Sequence, residues 1–106
     1  METWKSIEGF SKYEASTLGR VRRAKDGRII KAYPNHGGYL RTQLINDDGF
    51  KKNVRVSRVV ALTFIPNDDP QKTQVDHIVN DLTNNSVANL QWLTPQANLA
   101  KRNLCH

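Results

Sequence analysis

Gln74-Val75-Asp76-His77-Ile78, a polar loop through Asn80, Asp81, Asn84 and Asn85, and the return Leu90-Gln91-Trp92-Leu93 into Thr94-Pro95 decide how this chain is to be read. The two flanking apolar runs predict short strands, and the asparagine-rich interval predicts the loop that joins them. Thr94 is a good N-cap and Pro95 a good first helical residue, so a helix should run through Asn98 towards Arg102. The segment reads β–loop–β–α. It also holds six of the chain's ten asparagines, between Asn80 and Asn103. Asparagine suits neither helix nor strand interiors, so this enrichment points to a task other than building regular structure.

Working outward, Val56, Val59, Val60 and Phe64 recur at the spacing of a short amphipathic helix, which Pro66 stops. Asn67-Asp68-Asp69-Pro70 then makes a polar connector. Upstream, Trp4, Phe10 and Tyr13 should anchor a compact start, and Ser16-Thr17-Leu18-Gly19-Arg20-Val21 reads as a turn entering a strand. Asp26-Gly27 between Val21 and Ile29-Ile30 signals a hairpin. Tyr39 to Ile45, the turn Asn46-Asp47-Asp48-Gly49 and Phe50 to Val56 complete a small antiparallel sheet. The expectation is an α+β fold in one compact domain. A basic sheet and helix fill residues 1–66, and the ββα unit fills residues 67–106.

With 106 residues, 38% apolar and 25% charged, the chain supports a single modest core. That excludes a large cofactor-binding enzyme fold. Sixteen Lys and Arg oppose ten Asp and Glu, giving a net charge of +6, and 13 of the 16 basic residues lie in residues 1–60. So uneven a distribution suits a polyanionic partner, nucleic acid above all. Arg20, Arg22, Arg23, Arg28, Arg41, Lys51, Lys52, Arg55 and Arg58 are the candidates to hold it, chiefly by its phosphates. His36 lies in a Gly-rich turn and reads as solvated or phosphate-facing, whereas Trp4 and Trp92 read as core. The longest apolar stretch, Val59 to Leu62, is far short of a membrane span, so no membrane association is expected. No apolar segment follows the first residues, so no secretory signal is expected either. The single Cys105 can form neither an internal disulfide nor a four-cysteine zinc site, and no structural zinc is expected. Cys105 and His106 read as a frayed end.

Val75-Asp76-His77-Ile78, Asn84-Asn85, Asn89-Leu90-Gln91-Trp92 and Thr94-Pro95 with Asn98 resemble the His-Asn-His (HNH) nuclease motif, in the His-Asn-Asn form of phage and intron homing endonucleases. Trp4-Lys5, Ile7-Glu8-Gly9-Phe10, Leu18-Gly19-Arg20-Val21, Gly38-Tyr39-Leu40 and Val59 to Asn67 resemble the DNA-binding module that accompanies those nucleases. Two departures stand out. Val79-Asn80-Asp81 replaces the usual Asp-Gly-Asn, and Ser57 stands where relatives often carry histidine.

The resemblance implies a metal-dependent endonuclease that cuts double-stranded DNA to 5′-phosphate and 3′-hydroxyl ends, by nicking or double-strand cleavage. It implies one divalent ion, Mg²⁺ or Mn²⁺, held by Asp76 and Asn98, with His77 as general base. Asn89, the central asparagine, would tie the loop to the histidine strand and orient the imidazole. Asn84 and Asn85 would bridge loop backbone. The residue types agree: a neutral imidazole can take a proton from water near pH 7, and hard oxygen donors suit such an ion. Asp76 and His77, adjacent on a strand, should face opposite ways, which separates ligand from base. A cytoplasmic location in a bacterial host cell, with phage origin, is implied as well. A homodimer or a partner protein stays open, and so does the alternative of a DNA-binding or regulatory module with a vestigial nuclease site.

Overall fold

Val56, Ser57, Val59, Val60 and Ala61 are buried along α1 (Val56–Phe64), and this face organises the rest of the chain. A computed structural model describes residues 2–104. The expectation for Cys105 and His106 lies outside the described residues. The helix rises directly out of a strand: Arg55 is its N-cap and makes no side-chain capping bond. Its apolar face, rather than a cap, therefore holds it in place. The Ile65 N–H donates to the Ala61 carbonyl at 2.9 Å, and Pro66 ends the helix as expected.

Two three-stranded antiparallel sheets flank this helix in place of the one sheet expected. The first comprises β1 (Trp4–Ile7), β2 (Phe10–Ser16) and β3 (Val21–Arg23), in that order. The second comprises β4 (Tyr33–Pro34), β5 (Leu40–Ile45) and β6 (Lys51–Arg55). They separate because the Asp26-Gly27 hairpin returns only as the isolated bridge Arg22–Ile29, so no strand carries the ladder onward. The two sheets are nonetheless locked together. Asp47, in the β5–β6 turn, accepts from the Ser11 N–H at 2.8 Å and hydroxyl at 2.7 Å, and these bonds hold its carboxyl below the usual range. The Ile45 N–H donates to the Tyr13 hydroxyl at 3.3 Å.

The two-stranded ribbon β7 (Gln74–His77) and β8 (Leu90–Leu93) follows, then α2 (Pro95–Leu104). One core joins all parts: Ile7, Tyr13, Ala15 and Val21 from the first sheet, Leu44 from the second, the face of α1, and Leu90 from the ribbon. Leu44 and Val60 are fully buried, each contributing roughly 1.5–3 kcal/mol. The core thus runs straight across residue 66. Among the described residues no helix is long and apolar enough to cross a membrane.

Candidate active site

The ribbon sets the site by alternation. Asp76 pairs with Gln91 and His77 with Leu90, so the two adjacent side chains project to opposite faces. Asn89 closes the loop between the strands. Its Oδ1 accepts from the Val79 N–H at 2.7 Å and its Nδ2 donates to the Asn84 carbonyl at 2.9 Å. The Ile78 N–H donates to the Asn89 carbonyl at 2.8 Å. Within the loop, Asp81 accepts from the Thr83 hydroxyl and N–H, which lower its carboxyl pKa, and Asn84 accepts from the Ser86 hydroxyl at 2.7 Å. The unusual Val79-Asn80-Asp81 stretch is therefore stabilised by local side-chain turns.

His77 is 3% exposed, and its Nε2 lies 2.8 Å from Asn85 Oδ1. An amide oxygen only accepts, so Nε2 carries the ring proton and Nδ1 presents a lone pair. Nδ1 makes no hydrogen bond among the described residues. The buried side-chain atoms left unpaired there are Ser57 Oγ and Asn85 Nδ2. The side chain that meets the imidazole is Asn85, while both polar groups of Asn89 are taken by loop backbone. Asn85 in turn bonds the imidazole rather than bridging backbone. Tyr39 packs beside His77, with ring centroids 5.8 Å apart at 46°, and the Arg55 guanidinium lies 4.0 Å from the Tyr39 centroid.

On the other face, Asp76 Oδ2 accepts from Gln91 Nε2 at 2.9 Å and from the Lys101 ammonium. Lys101 also donates to the carbonyls of His77 at 2.9 Å and Ile78 at 3.2 Å. Asn98, expected beside Asp76, instead donates through Nδ2 to Gln74 Oε1 at 2.6 Å. Its Oδ1 has no partner among the described residues. Thr94 caps α2 as expected, accepting from the Ala97 N–H at 3.1 Å. Lys101 follows Asn98 by one helical turn on the same face, a spacing that could have marked it. Gln91 could be found only with the strand register in hand. The donor set fits a hard divalent cation. Three oxygens already surround one positive group, the Lys101 ammonium, and Asn98 Oδ1 and the second Asp76 oxygen have no partner among the described residues. Among the described residues no group of three or more His, Cys, Asp or Glu converges, so such an ion would rest on one carboxylate and neutral oxygens.

A groove of about 630 Å³ brings Arg41, Arg55 and Arg58 together with Gln74 and Asn98; neither Asp76 nor His77 lines it. Arg58 donates to the Thr73 carbonyl at 2.9 Å and sits 5.6 Å from the Trp92 centroid. Trp92 is half-buried against the core, as expected, and donates to the Ile65 carbonyl. The nine basic candidates divide. Arg20, Arg22 and Arg23 are ion-paired with Glu2, Glu14 and Asp26, and the Arg20 hydrogen bond lowers the Glu2 carboxyl to about 2. Trp4 is not a core residue: the Arg22 guanidinium lies 4.1 Å from its ring centroid and that of Arg20 5.4 Å. Arg28, Lys51 and Lys52 are exposed and unpaired among the described residues, and His36 is exposed as expected.

An Asp-His strand, an asparagine-tied loop and a helix bearing Asn98 and Lys101, all packed behind two small sheets, define the class: an HNH-type ββα fold with an N-terminal sheet module. The family model described as the NUMOD4 motif matches residues 2–45. Two uncharacterised HNH endonucleases of Acanthamoeba polyphaga mimivirus, L247 and L245, are 39% and 33% identical over 92% and 88% of this chain. These matches cover 25% and 28% of those proteins, so the chain spans about a quarter of their length. A solved structure described as DNA binding and cleavage by the HNH homing endonuclease I-HmuI superposes with a TM-score of 0.83 at 31% identity. That match covers 96% of this chain and 58% of the other. The chain belongs to the HNH endonuclease family.

Proposed function

We propose that this chain hydrolyses phosphodiester bonds of double-stranded DNA in a divalent-metal-dependent reaction, leaving 5′-phosphate and 3′-hydroxyl ends. The single observation that carries this reading is the arrangement on one strand: His77 with its Nε2 held by Asn85, and Asp76 on the opposite face. Nδ1 takes a proton from water, the water oxygen forms a bond to phosphorus, and the bond from phosphorus to the 3′ oxygen breaks. That oxygen then takes up a proton from solvent. Asp76 and Asn98 would hold the ion, Mg²⁺ or Mn²⁺. When bound it supplies charge relief at the phosphate and the departing oxygen.

Lys101 pairs with the Asp76 carboxylate and so answers a largely buried charge. Arg41, Arg55 and Arg58 hold the duplex along the groove by its phosphates, which fixes position without reading sequence.

The test is a supercoiled-plasmid nicking assay with Mg²⁺ or Mn²⁺, with and without a chelator. Nicked or linear product that disappears on chelation is the expected result. Product that persists in excess chelator contradicts the metal role, and salt-sensitive DNA binding without cleavage under any metal contradicts the nuclease reading.

A further inference from the structure

Asn85 is 3% exposed, and only one of its two amide ends is satisfied: Oδ1 meets His77, while Nδ2 is buried without a partner among the described residues. An amide in that state is a poor choice for stability alone, so its value lies in the bond to the imidazole. What fixes Asn85 comes from the other end of the chain. A Cβ placed on Gly19 would stand 2.5 Å from the Asn85 carbonyl carbon, 2.6 Å from its oxygen and 2.8 Å from its Cβ. Gly19 also sits at φ +87°, in the left-handed region that disfavours side chains. Beside this contact, the Val87 N–H donates to the Thr17 carbonyl at 2.8 Å. The turn is itself rigid: Ser16, fully buried, accepts through Oγ from the Leu18 and Arg20 N–H groups, and its carbonyl accepts from Gly19.

We propose that the Thr17–Gly19 turn, within the N-terminal module, is a positioning element of the catalytic site, holding Asn85 where its Oδ1 fixes the Nε2–H tautomer of His77. The proposal rests on His77 acting as the base, but its physical core is readable without catalysis. The N-terminal module then does more than hold a substrate: it completes the apparatus that orients the imidazole.

The experiment records ¹⁵N NMR signals of the His77 ring in the full chain, together with kcat and KM for plasmid nicking. Wild type shows the Nε2–H tautomer. Asn85→Leu shows a tautomer mixture and loses about a hundredfold in kcat with little change in KM, the scale of a misdirected general base. Asn85→Asp keeps the acceptor and recovers most of that loss. Gly19→Ala reproduces the Asn85→Leu pattern in weaker form. Should Gly19→Ala fail to fold, Val87→Pro removes the N–H that ties the loop to Thr17, at a first helical position that accepts proline, and shows the same direction of change. Wild-type tautomer and kcat in folded Gly19→Ala or Val87→Pro overturn the proposal. A tautomer shift in a chain with no nicking activity overturns the functional reading instead and leaves the positioning intact.

Discussion

The two three-stranded sheets are both rich in arginine, yet they use it differently. In the first, Arg22 pairs with Glu14 directly across the β2–β3 ladder, Arg23 with Asp26 in the hairpin and Arg20 with Glu2. Arg20 and Arg22 also stack over Trp4. In the second, Arg41 meets only an asparagine and Arg55 an aromatic ring, while Lys51 and Lys52 project free among the described residues. Of the two sheets, only the second brings arginines to the groove that reaches Gln74 and Asn98; the first contributes Phe10. A basic balance over residues 1–60 therefore overstates the surface available to a polyanion. Charge already answered within the fold stiffens a sheet, and unanswered charge is what can displace counterions from DNA.

The largest effect is expected from breaking the groove side of this contrast. Replacing Arg41, Arg55 and Arg58 together by alanine should weaken DNA binding by about a hundredfold at moderate salt. The same change should flatten the slope of log K against log salt by roughly 2.7, about 0.9 per lost contact. Fluorescence anisotropy over a salt series checks both. Asn89→Ala removes the tie between Val79 and Asn84 and should cost about 2 kcal/mol of thermal stability, read by calorimetry, with DNA affinity affected far less. Arg22→Ala, at a partly exposed ion pair, should cost only about 0.5 kcal/mol. Smallest of all, Arg20→Ala and Arg23→Ala should leave DNA affinity within about twofold, because both guanidinium groups are engaged by carboxylates. An affinity loss there equal to that at Arg55 would erase the distinction between the sheets.

Much of this was legible in the sequence. The i, i+3, i+4, i+8 stripe gave α1 its bounds because one face is buried, and Thr94-Pro95 marked the start of α2 because capping is local chemistry. The β1–β2 hairpin was harder to see. Its register shifts at Ser6–Ile7, and its turn at Glu8-Gly9 sits between aromatic residues that read as an irregular anchor. Asp76 and His77 were legible as a pair because strand alternation separates them whatever surrounds them. Asn85 was not, since its meaning depends on which of several asparagines the loop turns inward. Gln91 reaches Asp76 through strand register, and Arg22 meets Glu14 across the β2–β3 ladder. Both are long-range facts that local pattern does not encode.

The central claim is that holding and cutting are divided between the arginine-lined groove and the His77 strand. It is tested most directly by measuring His77→Ala for DNA affinity and single-turnover cleavage side by side. The account predicts cleavage slowed by about a thousandfold, with the dissociation constant within about twofold of wild type. Cleavage at the wild-type rate, or an affinity that falls in step with the rate, would contradict it.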